Sequence, residues 1–389
     1  MNKDYVNKII RYFIVGTLFL AMFIIKGIPE DRQSNQIVFM LMAISAFSLI
    51  LENIWITLFL LWTVFLFSFF KFTTGGIYLS NIFFGCILYY ITKKSFKKEH
   101  VDFFINGFLW FVCANIIYMV IQSLNYDFIF GRIVTTAGFI KQIENSKPSG
   151  FMGHQSVLGT LIALAVPVLA VRDSKVAVWV ALSLFVPLYF SKTSLCFLMG
   201  CIGFLFVMFY KMPRKAWFLS ILILILFGGF YFKNVDSFGT SRFLQWHRVL
   251  KDCMIHPVTG WGLDSFRNIT PQKDFRYSDS IVQGIGYESP EGKLYRNITV
   301  INWWDNPHNL YVSLFFEWGI FGLILLAGFL RRNILKFKNA IKYPNVIGLA
   351  GFILVFFGIS FGHFPIFLAR LAVIIIPMFA IFEVLTKEI

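Results

Sequence analysis

Long apolar runs, separated by short polar connections, account for most of the 389-residue chain. A helix needs about twenty predominantly apolar residues to cross the hydrocarbon core of a bilayer. The runs that approach this length are Ile9–Ile28, Ile37–Ile50, Ile54–Phe70, Ile77–Ile91, Phe103–Ile121, Val157–Val171, Val176–Phe190, Leu195–Tyr210, Trp217–Phe232, Leu310–Leu330, Val346–Ile366 and Leu371–Leu385. The pattern predicts an all-α polytopic membrane protein with about twelve transmembrane helices.

One long polar segment, residues 233–308, interrupts this series between the ninth and tenth apolar runs. We predict that it forms a large periplasmic loop, inserted into a single transmembrane domain that comprises residues 1–389. A shorter polar interval at about 122–154 is predicted to lie on the same side of the membrane.

Lys and Arg are unevenly shared between the two sides that alternate crossing creates. Short cytoplasmic connections carry an excess of basic residues, whereas long loops are translocated regardless of charge. With residues 233–308 left out, one side carries eighteen basic residues and the other eight. We therefore predict that both termini are cytoplasmic. No small-residue cleavage site follows the first apolar run, so we predict a retained span and not a signal peptide.

Composition supports a lipid-embedded protein and narrows its partners. The chain is 58% hydrophobic and 14% charged, whereas soluble domains are about 25% charged. The formal net charge of +15 would suit a nucleic-acid binder, but most of the excess lies in short connections, where it orients a membrane protein. We expect membrane lipids, and not nucleic acid, as partners. Four of the five cysteines lie in apolar runs, and neither a disulfide pattern nor a CxxC pair is present.

The first part of the large loop, residues 239–257, is predicted to be an amphipathic helix. Thr240 or Ser241 can cap its start, and Pro257 is predicted to stop it. Helical spacing predicts one apolar stripe and an opposite polar face. The predicted stripe consists of Phe243, Trp246, Leu250, Cys253 and Met254. The predicted polar face consists of Gln245, Arg248, Lys251 and Asp252. Arg242 falls at the edge of the stripe and is predicted to point toward the membrane domain, whereas Arg248 is predicted to face solvent.

His308 stands just before the tenth apolar run, preceded by Pro307. A histidine at the mouth of a span can remove a proton from a hydroxyl or donate to a phosphate, although interfacial histidines beside tryptophans also occur without a chemical role. Glu317 lies nine residues deeper, on the opposite helix face, and is interpreted as a structural partner. Asn309, Glu317 and Arg248 are the expected supporting residues.

Two further polar features fall on the predicted outer side. Lys192 lies in a very short external turn, where the orientation rule does not explain a cation. The start of the span near residue 155 could offer backbone N–H groups to an anion. Helix starts that contain glycine are common, however, so His154 and Gln155 are also consistent with a helix start that binds nothing. The six histidines show no metal-ligand spacing, and no Gly-x-Ser-x-Gly nucleophile turn is present. No metal or cofactor is expected.

Several short motifs follow one another around the large loop. They are Gly150-Phe-Met-Gly-His-Gln-Ser-Val-Leu-Gly159, Ser191-Lys-Thr-Ser194, Ser241-Arg-Phe-Leu-Gln-Trp246, His256-Pro-Val-Thr-Gly-Trp-Gly-Leu-Asp-Ser-Phe266, Pro307-His-Asn-Leu-Tyr311 and Glu317-Trp-Gly-Ile-Phe-Gly322. Their order, and the position of the loop, resemble the O-antigen ligase and O-antigen polymerase superfamily. The resemblance covers roughly residues 150–330, and the topology extends it.

The resemblance implies a multi-pass enzyme of the bacterial inner membrane that acts at the periplasmic face. Members of this superfamily transfer glycans carried on undecaprenyl pyrophosphate and need no metal. The acceptor is lipid A–core sugar for ligases and a second lipid-linked glycan for polymerases. Both remain open for this chain, with a preference for the ligase because the histidine-bearing loop is compact and complete.

The resemblance also assigns roles to individual residues. His308 matches the histidine proposed to activate the acceptor hydroxyl, and Arg242 matches an arginine of the loop helix. Lys192 stands where many members have arginine, which keeps the charge but loses the bidentate fork for phosphate. His154 and Gln155 stand where asparagine is more usual. We expect Arg242 and Lys192 to bind the departing pyrophosphate, with His308 as the catalytic base. A single displacement would invert the anomeric configuration.

A transporter or lipid-glycan flippase is the alternative from another class, because twelve spans with both ends inside are common there. Such proteins usually show paired halves and charged or helix-broken sites at the membrane midplane. This sequence shows no repeat, and its polar groups concentrate at one outer face. A non-catalytic assembly scaffold is the remaining alternative.

Overall fold

The structure is a computed structural model. It describes residues 62, 85–86, 88–90, 92–94, 96–124, 148–152, 154–172, 174–191, 193–211, 240–262, 265–266, 278–283, 298–303, 307–340, 343–362 and 369–387. Contacts divide the chain into two units. The first contains residues 1–52, 82–238 and 329–389, and the second contains residues 53–81 and 239–328.

Helices make up most of the described part of the chain. In chain order they are α1 Val101–Ser123, α2 Gln155–Ala170, α3 Lys175–Ser183, α4 Phe185–Phe190, α5 Ser194–Lys211, α6 Thr240–Cys253, α7 Leu310–Ala340, α8 Pro344–Ile359 and α9 Ala369–Lys387. Single 3-10 turns at Lys98–His100 and Gly150–Met152 precede α1 and α2. The helical character predicted from the apolar runs is confirmed.

Within the described residues, three helical segments are long and apolar enough to cross a bilayer. They are Lys98–Ser123, Ser194–Lys211 and Leu310–Gly328. Shorter apolar helices are Gln155–Ala170, Val176–Phe190, Pro344–Ile359 and Ile374–Thr386. These findings support a membrane protein. The predicted spans Ile9–Ile28, Ile37–Ile50 and Trp217–Phe232 lie outside the described residues, as do most residues of Ile54–Phe70 and Ile77–Ile91, so the count of about twelve stays a prediction.

The predicted span Val176–Phe190 differs in detail, because the structure divides it into α3 and α4. The division follows Ser183, four residues before Pro187. A proline has no N–H to offer the carbonyl four residues earlier, and its ring crowds that carbonyl. The physical reason for the break was therefore present in the sequence.

The large loop also contains structure that an all-α prediction omits. Strand β1, Ser278–Gln283, pairs antiparallel with strand β2, Ile298–Trp303, in the register Ser278↔Trp303 to Gln283↔Ile298. Both segments contain consecutive β-branched residues, Ile281 and Val282 in β1 and residues 298–301 in β2, and such residues are enriched in strands. The hairpin is an addition to the predicted fold.

The core of the first unit is centred on α2, whose side chains are buried on every face. It packs against α5 and α8, and small residues allow these helices to approach closely. A Cβ placed on Gly351 of α8 would lie 2.6 Å from Pro167 Cβ of α2. A Cβ on Gly348 would lie 2.7 Å from Val171 Cγ1.

One end of the first unit collects the basic connections that were predicted to share a membrane side. Arg172, just after α2, donates to Asp102 of α1 at 3.2 Å. Asn345 of α8 donates to the same carboxylate at 3.1 Å. Lys211, at the end of α5, donates to the carbonyl of Ala170 at 3.3 Å. These hydrogen bonds bring the start of α1, the end of α2, the end of α5 and the start of α8 together.

Candidate active site

His308 lies immediately before α7 in a backbone conformation that is rare for its residue type. Its φ is 50°, and it is the one non-glycine residue with a positive φ in the described part of the chain. A left-handed conformation costs a residue with a Cβ about 1–3 kcal/mol and persists only where the surrounding structure enforces it. The side chain of His308 is partly exposed.

Both neighbours of His308 are buried and fixed by hydrogen bonds. The carbonyl of Pro307 accepts a hydrogen bond from the indole Nε1 of Trp246 at 2.8 Å. Asn309 caps α7, because its Oδ1 accepts from the N–H groups of Tyr311 at 2.9 Å and Val312 at 3.1 Å. Asparagine is among the preferred N-cap residues, since its side chain satisfies the first N–H groups of a helix. These contacts hold the chain on either side of His308 and offset the cost of its conformation.

Helix α6 is attached to the start of α7 by an apolar cluster. The buried members are Val249, Cys253, Phe266, Val312 and Phe316, with Trp246, Trp261 and Phe315 packed around them. The predicted stripe on α6 is wrong in part. Val249 belongs to the buried face, whereas Leu250 and Met254 are exposed. The buried face follows i, i+3, i+7 spacing from Trp246 to Cys253.

Helix α6 ends at Cys253, before the predicted stop at Pro257, and residues 254–259 form turns. The turn then reaches a break in α7 at Gly319, whose φ of 66° and ψ of −173° are not helical. This region of backbone space is accessible essentially only to glycine.

The loop residues satisfy the backbone groups that the break leaves open. The N–H of Trp261 donates to the Phe316 carbonyl at 2.7 Å, and the N–H of Gly262 donates to the Glu317 carbonyl at 3.0 Å. The N–H of Ile320 donates to the Pro257 carbonyl at 2.8 Å. In addition, the indole of Trp62 donates to the Trp318 carbonyl at 3.2 Å. The break is therefore filled by protein groups.

Two glycines make this contact sterically possible. A Cβ on Gly260 would lie 2.6 Å from the backbone N of Gly319, and a Cβ on Gly319 would lie 2.6 Å from the backbone N of Gly260. We call the contact between residues 257–262 and residues 316–320 the loop–helix interlock. It joins the motif that begins at His256 to the motif that begins at Glu317.

The first unit contains a second polar region, where two of the predicted outer features meet. Ser191 and Thr193, which flank Lys192, share a hydrogen bond of 2.7 Å between their hydroxyl oxygens. A Cβ on Gly159 of α2 would lie 2.9 Å from the Ser191 hydroxyl oxygen. The turn that carries Lys192 therefore lies against the first turns of α2, but Lys192 itself lies outside the described residues.

The start of α2 is fixed by side chains of its own and of α1. The Nδ1 of His154 accepts from the N–H of Ser156 at 3.2 Å, so this histidine caps the helix. Gln122 of α1 accepts from the N–H groups of Ser149 and Gly150, both at 2.8 Å. The His154 side chain already accepts a hydrogen bond from one of the N–H groups that an anion would use. The structure therefore favours a capped helix start over an anion-binding site in this segment.

The remaining predicted site residues are placed as follows. Arg242 lies within α6, and its side chain lies outside what the structure describes. Arg248 is exposed, and Glu317 is buried. Glu317 was predicted to lie on the face of the helix opposite His308. This comparison of faces does not apply, because His308 precedes α7 and has left-handed backbone angles.

Sequence reasoning did not identify the residues that position this region. Trp246 appeared as a member of an apolar stripe and as the end of one motif, and Gly260 and Gly319 appeared only within motifs. The signal that could have identified Gly319 is its place inside an apolar run of helical length, where a glycine costs about 1 kcal/mol relative to alanine.

Residues 176–327 match the model of the family described as O-antigen ligase. No curated protein matches the chain. The matched segment includes α6, His308 and the loop–helix interlock, and it excludes the motif Gly150–Gly159. The match over residues 176–327 supports the superfamily to which the sequence motifs pointed, that of the O-antigen ligases and O-antigen polymerases.

Proposed function

We propose that the protein is a glycosyltransferase of the bacterial inner membrane. It transfers a glycan from undecaprenyl pyrophosphate to an acceptor sugar hydroxyl at the periplasmic face. The observation that carries the proposal is His308, held in a left-handed conformation between two anchored residues within the segment that matches the family. Conformations of this kind cluster at functional sites, where the surrounding fold sustains their cost.

In the proposed reaction, the acceptor oxygen attacks the anomeric carbon of the donor glycan. The bond from this carbon to the phosphate oxygen breaks, and undecaprenyl pyrophosphate leaves with the electron pair. An imidazole nitrogen of His308 takes the proton of the acceptor hydroxyl, which contributes about 10²–10⁴-fold to the rate of comparable reactions. One displacement inverts the anomeric configuration.

The departing pyrophosphate gains negative charge in the transition state, so it requires cations. Arg242, which lies four residues before Trp246 on α6, and Lys192 are the proposed partners. Asn309 supports the site by fixing the start of α7. Glu317 supports the site from the interlock, where its carbonyl accepts from Gly262. Arg248 is exposed and is the least supported of the proposed residues.

The test uses purified full-length protein in lipid vesicles with a lipid-pyrophosphate glycan donor and no ion gradient. We expect release of undecaprenyl pyrophosphate by the wild type and loss of at least two orders of magnitude in rate for His308→Ala. His247→Ala is the matched control, because His247 is an exposed histidine of α6, and it should retain the wild-type rate. Wild-type transfer by His308→Ala would refute the assignment, and donor consumption only across a gradient would favour a transporter.

Donor binding separates two roles of the imidazole. If His308 acts as a base, His308→Ala binds the lipid donor with unchanged affinity while transfer is lost. If it binds phosphate, affinity for the donor falls as well. A chelator should leave the rate unchanged, since the proposed chemistry uses protein cations.

The preferred acceptor is lipid A–core, as in the ligases, and the alternative is a second lipid-linked glycan, as in the polymerases. Deletion of the protein and electrophoresis of the surface glycans distinguish the two. Loss of attachment with accumulation of lipid-linked polymer indicates a ligase, whereas products with a single repeat unit indicate a polymerase.

A further inference from the structure

The described residues that follow α6, 254–262, run alongside α7 and not across its end. Trp246 contacts Pro307 at the start of α7, and Cys253 packs with Val312 and Phe316 further along. Pro257 then bonds to Ile320. Successively later residues of α6 and of the turn that follows it therefore contact successively later residues of α7. The two helices run in the same direction from the end that carries His308.

The depth of the loop–helix interlock follows from the geometry of α7. The segment Leu310–Gly328 is apolar enough to cross a bilayer, and Gly319 is its tenth residue. At a rise of 1.5 Å per residue, Gly319 lies about 14 Å beyond the start of the helix. The hydrocarbon core is about 30 Å thick, so the interlock lies near its middle when α7 spans the membrane.

Exposed side chains change character along the same direction. Nearer the start of α7, the exposed residues of α6 include His247, Arg248 and Lys251. At the turn they are apolar, with Met254 67%, Ile255 59% and Val258 57% exposed. On α7, Ile320, Phe321 and Ile324 are also exposed, and the hydrogen bond from Ile320 to Pro257 brings this part of the helix next to the turn. A contiguous apolar surface of this kind is unusual in water.

Unsatisfied polar groups cost several kcal/mol each in hydrocarbon, and irregular backbone is tolerated there only against protein. Several backbone groups of the turn meet this requirement. Trp261, Gly262 and Ile320 donate their N–H groups within the interlock, and the Gly260 N–H donates to the His256 carbonyl at 2.8 Å. His256 is the exposed polar side chain of the turn, and its ring packs edge-on against Trp261 with 4.5 Å between centroids.

We propose that residues 254–262 form a re-entrant segment that enters the hydrocarbon beside α7, with the acyl chains of the bilayer as the partner of its apolar surface. Part of the large polar loop thus lies inside the membrane. This surface is defined by Met254, Ile255 and Val258 with Ile320, Phe321 and Ile324, and the proposal does not depend on the proposed catalytic activity.

Spin labels test the proposal in full-length protein reconstituted into phosphatidylethanolamine–phosphatidylglycerol vesicles. Labels at Ile255→Cys and Val258→Cys should be severalfold more accessible to oxygen, relative to a water-soluble nickel chelate, than labels at His247→Cys and Arg248→Cys. The native cysteines are replaced by alanine in this background. Equal or greater nickel accessibility at positions 255 and 258 would overturn the proposal.

A second measurement keeps the native cysteines, because Cys253 is buried and its replacement could prevent folding. A benzophenone amino acid at position 255 should cross-link to lipid acyl chains, whereas the same group at position 248 should give little lipid adduct. Cross-linking at position 255 to a second copy of the chain, or the absence of a lipid adduct there, would contradict a lipid-facing surface.

Discussion

At the scale of single residues, backbone conformation distinguishes the positions that organise the large loop. His308 and Gly319 both have positive φ, but the chain accommodates them differently. Gly319 has no Cβ, so it adopts its conformation without strain. His308 does have a Cβ, and it is held by the hydrogen bonds made at Pro307 and Asn309. A strained residue that the fold actively maintains is the strongest residue-level indication of a functional site in the second unit.

Gly319→Ala tests the loop–helix interlock. The substitution should destabilise the protein by about 1–3 kcal/mol from backbone strain alone, and contact with Gly260 adds to this cost, because a Cβ would lie 2.6 Å from its nitrogen. The apparent unfolding temperature of the purified protein measures the effect. Gly107→Ala in α1 is the control, since a Cβ there meets nothing within 4 Å. Alanine should stabilise that helix interior by about 0.5–1 kcal/mol. Equal effects at the two positions would argue against the interlock.

At the scale of elements, the central relation is the attachment of α6 to the start of α7. The apolar cluster supplies the area of contact, and the bond from Trp246 to Pro307 fixes the position of α6 next to His308. A helix attached through both apolar packing and a directed hydrogen bond can hold Arg242 and His308 in a constant relation. The attachment therefore connects the fold of the loop to the proposed chemistry.

Trp246→Phe should reduce turnover more than it reduces stability. The ring that packs in the cluster is largely retained, and the loss of one hydrogen bond costs about 1 kcal/mol. Because the lost bond ends at the neighbour of His308, we expect a lower kcat with little change in KM. Trp261→Phe removes a bond of similar length, from Nε1 to the Asp252 carbonyl at 3.0 Å, and it should cost similar stability with a smaller loss of kcat. A matching fall in kcat for both variants would mean that Trp246 is merely structural.

At the scale of the whole molecule, ion pairs of the first unit connect segments that are far apart in the sequence. Lys93 pairs with Glu383 of α9 at 3.0 Å, and the hydroxyl of Tyr89 also donates to this carboxylate. Glu383 is only 1% exposed, whereas Asp102, which pairs with Arg172 at 3.2 Å, is 61% exposed. Both pairs lie within the first unit, but the Lys93–Glu383 pair is largely buried and the Arg172–Asp102 pair is largely exposed to solvent.

Removal of one charge should affect the two pairs unequally. Glu383→Gln leaves Lys93 without its counter-charge in a largely buried place, and breaking a buried pair typically costs about 3–5 kcal/mol. Asp102→Asn breaks an exposed pair, for which about 1 kcal/mol or less is expected. Thermal unfolding in one detergent compares the two variants directly. A larger loss for Asp102→Asn would show that burial does not govern these pairs.

The amino-acid sequence was sufficient to predict a membrane protein and the order of the helices in the described part of the chain. Long apolar runs form helices in lipid, because a helix provides hydrogen-bond partners for its backbone N–H and C=O groups within the same segment. Pro187 likewise gave a local reason for dividing α3 from α4. The motifs that suggested the superfamily are also local strings, which explains why they could be recognised without a fold.

The buried face of α6, the left-handed conformation of His308 and the interlock at Gly319 became apparent only from the three-dimensional structure. Each depends on residues distant in the sequence, such as Trp246 with Pro307 and Pro257 with Ile320. Periodicity describes which side chains share a face of one helix, but it does not specify the surface that covers that face. For this reason Leu250 and Met254 were predicted to share the apolar stripe of α6, and the structure leaves them exposed while Val249 is buried.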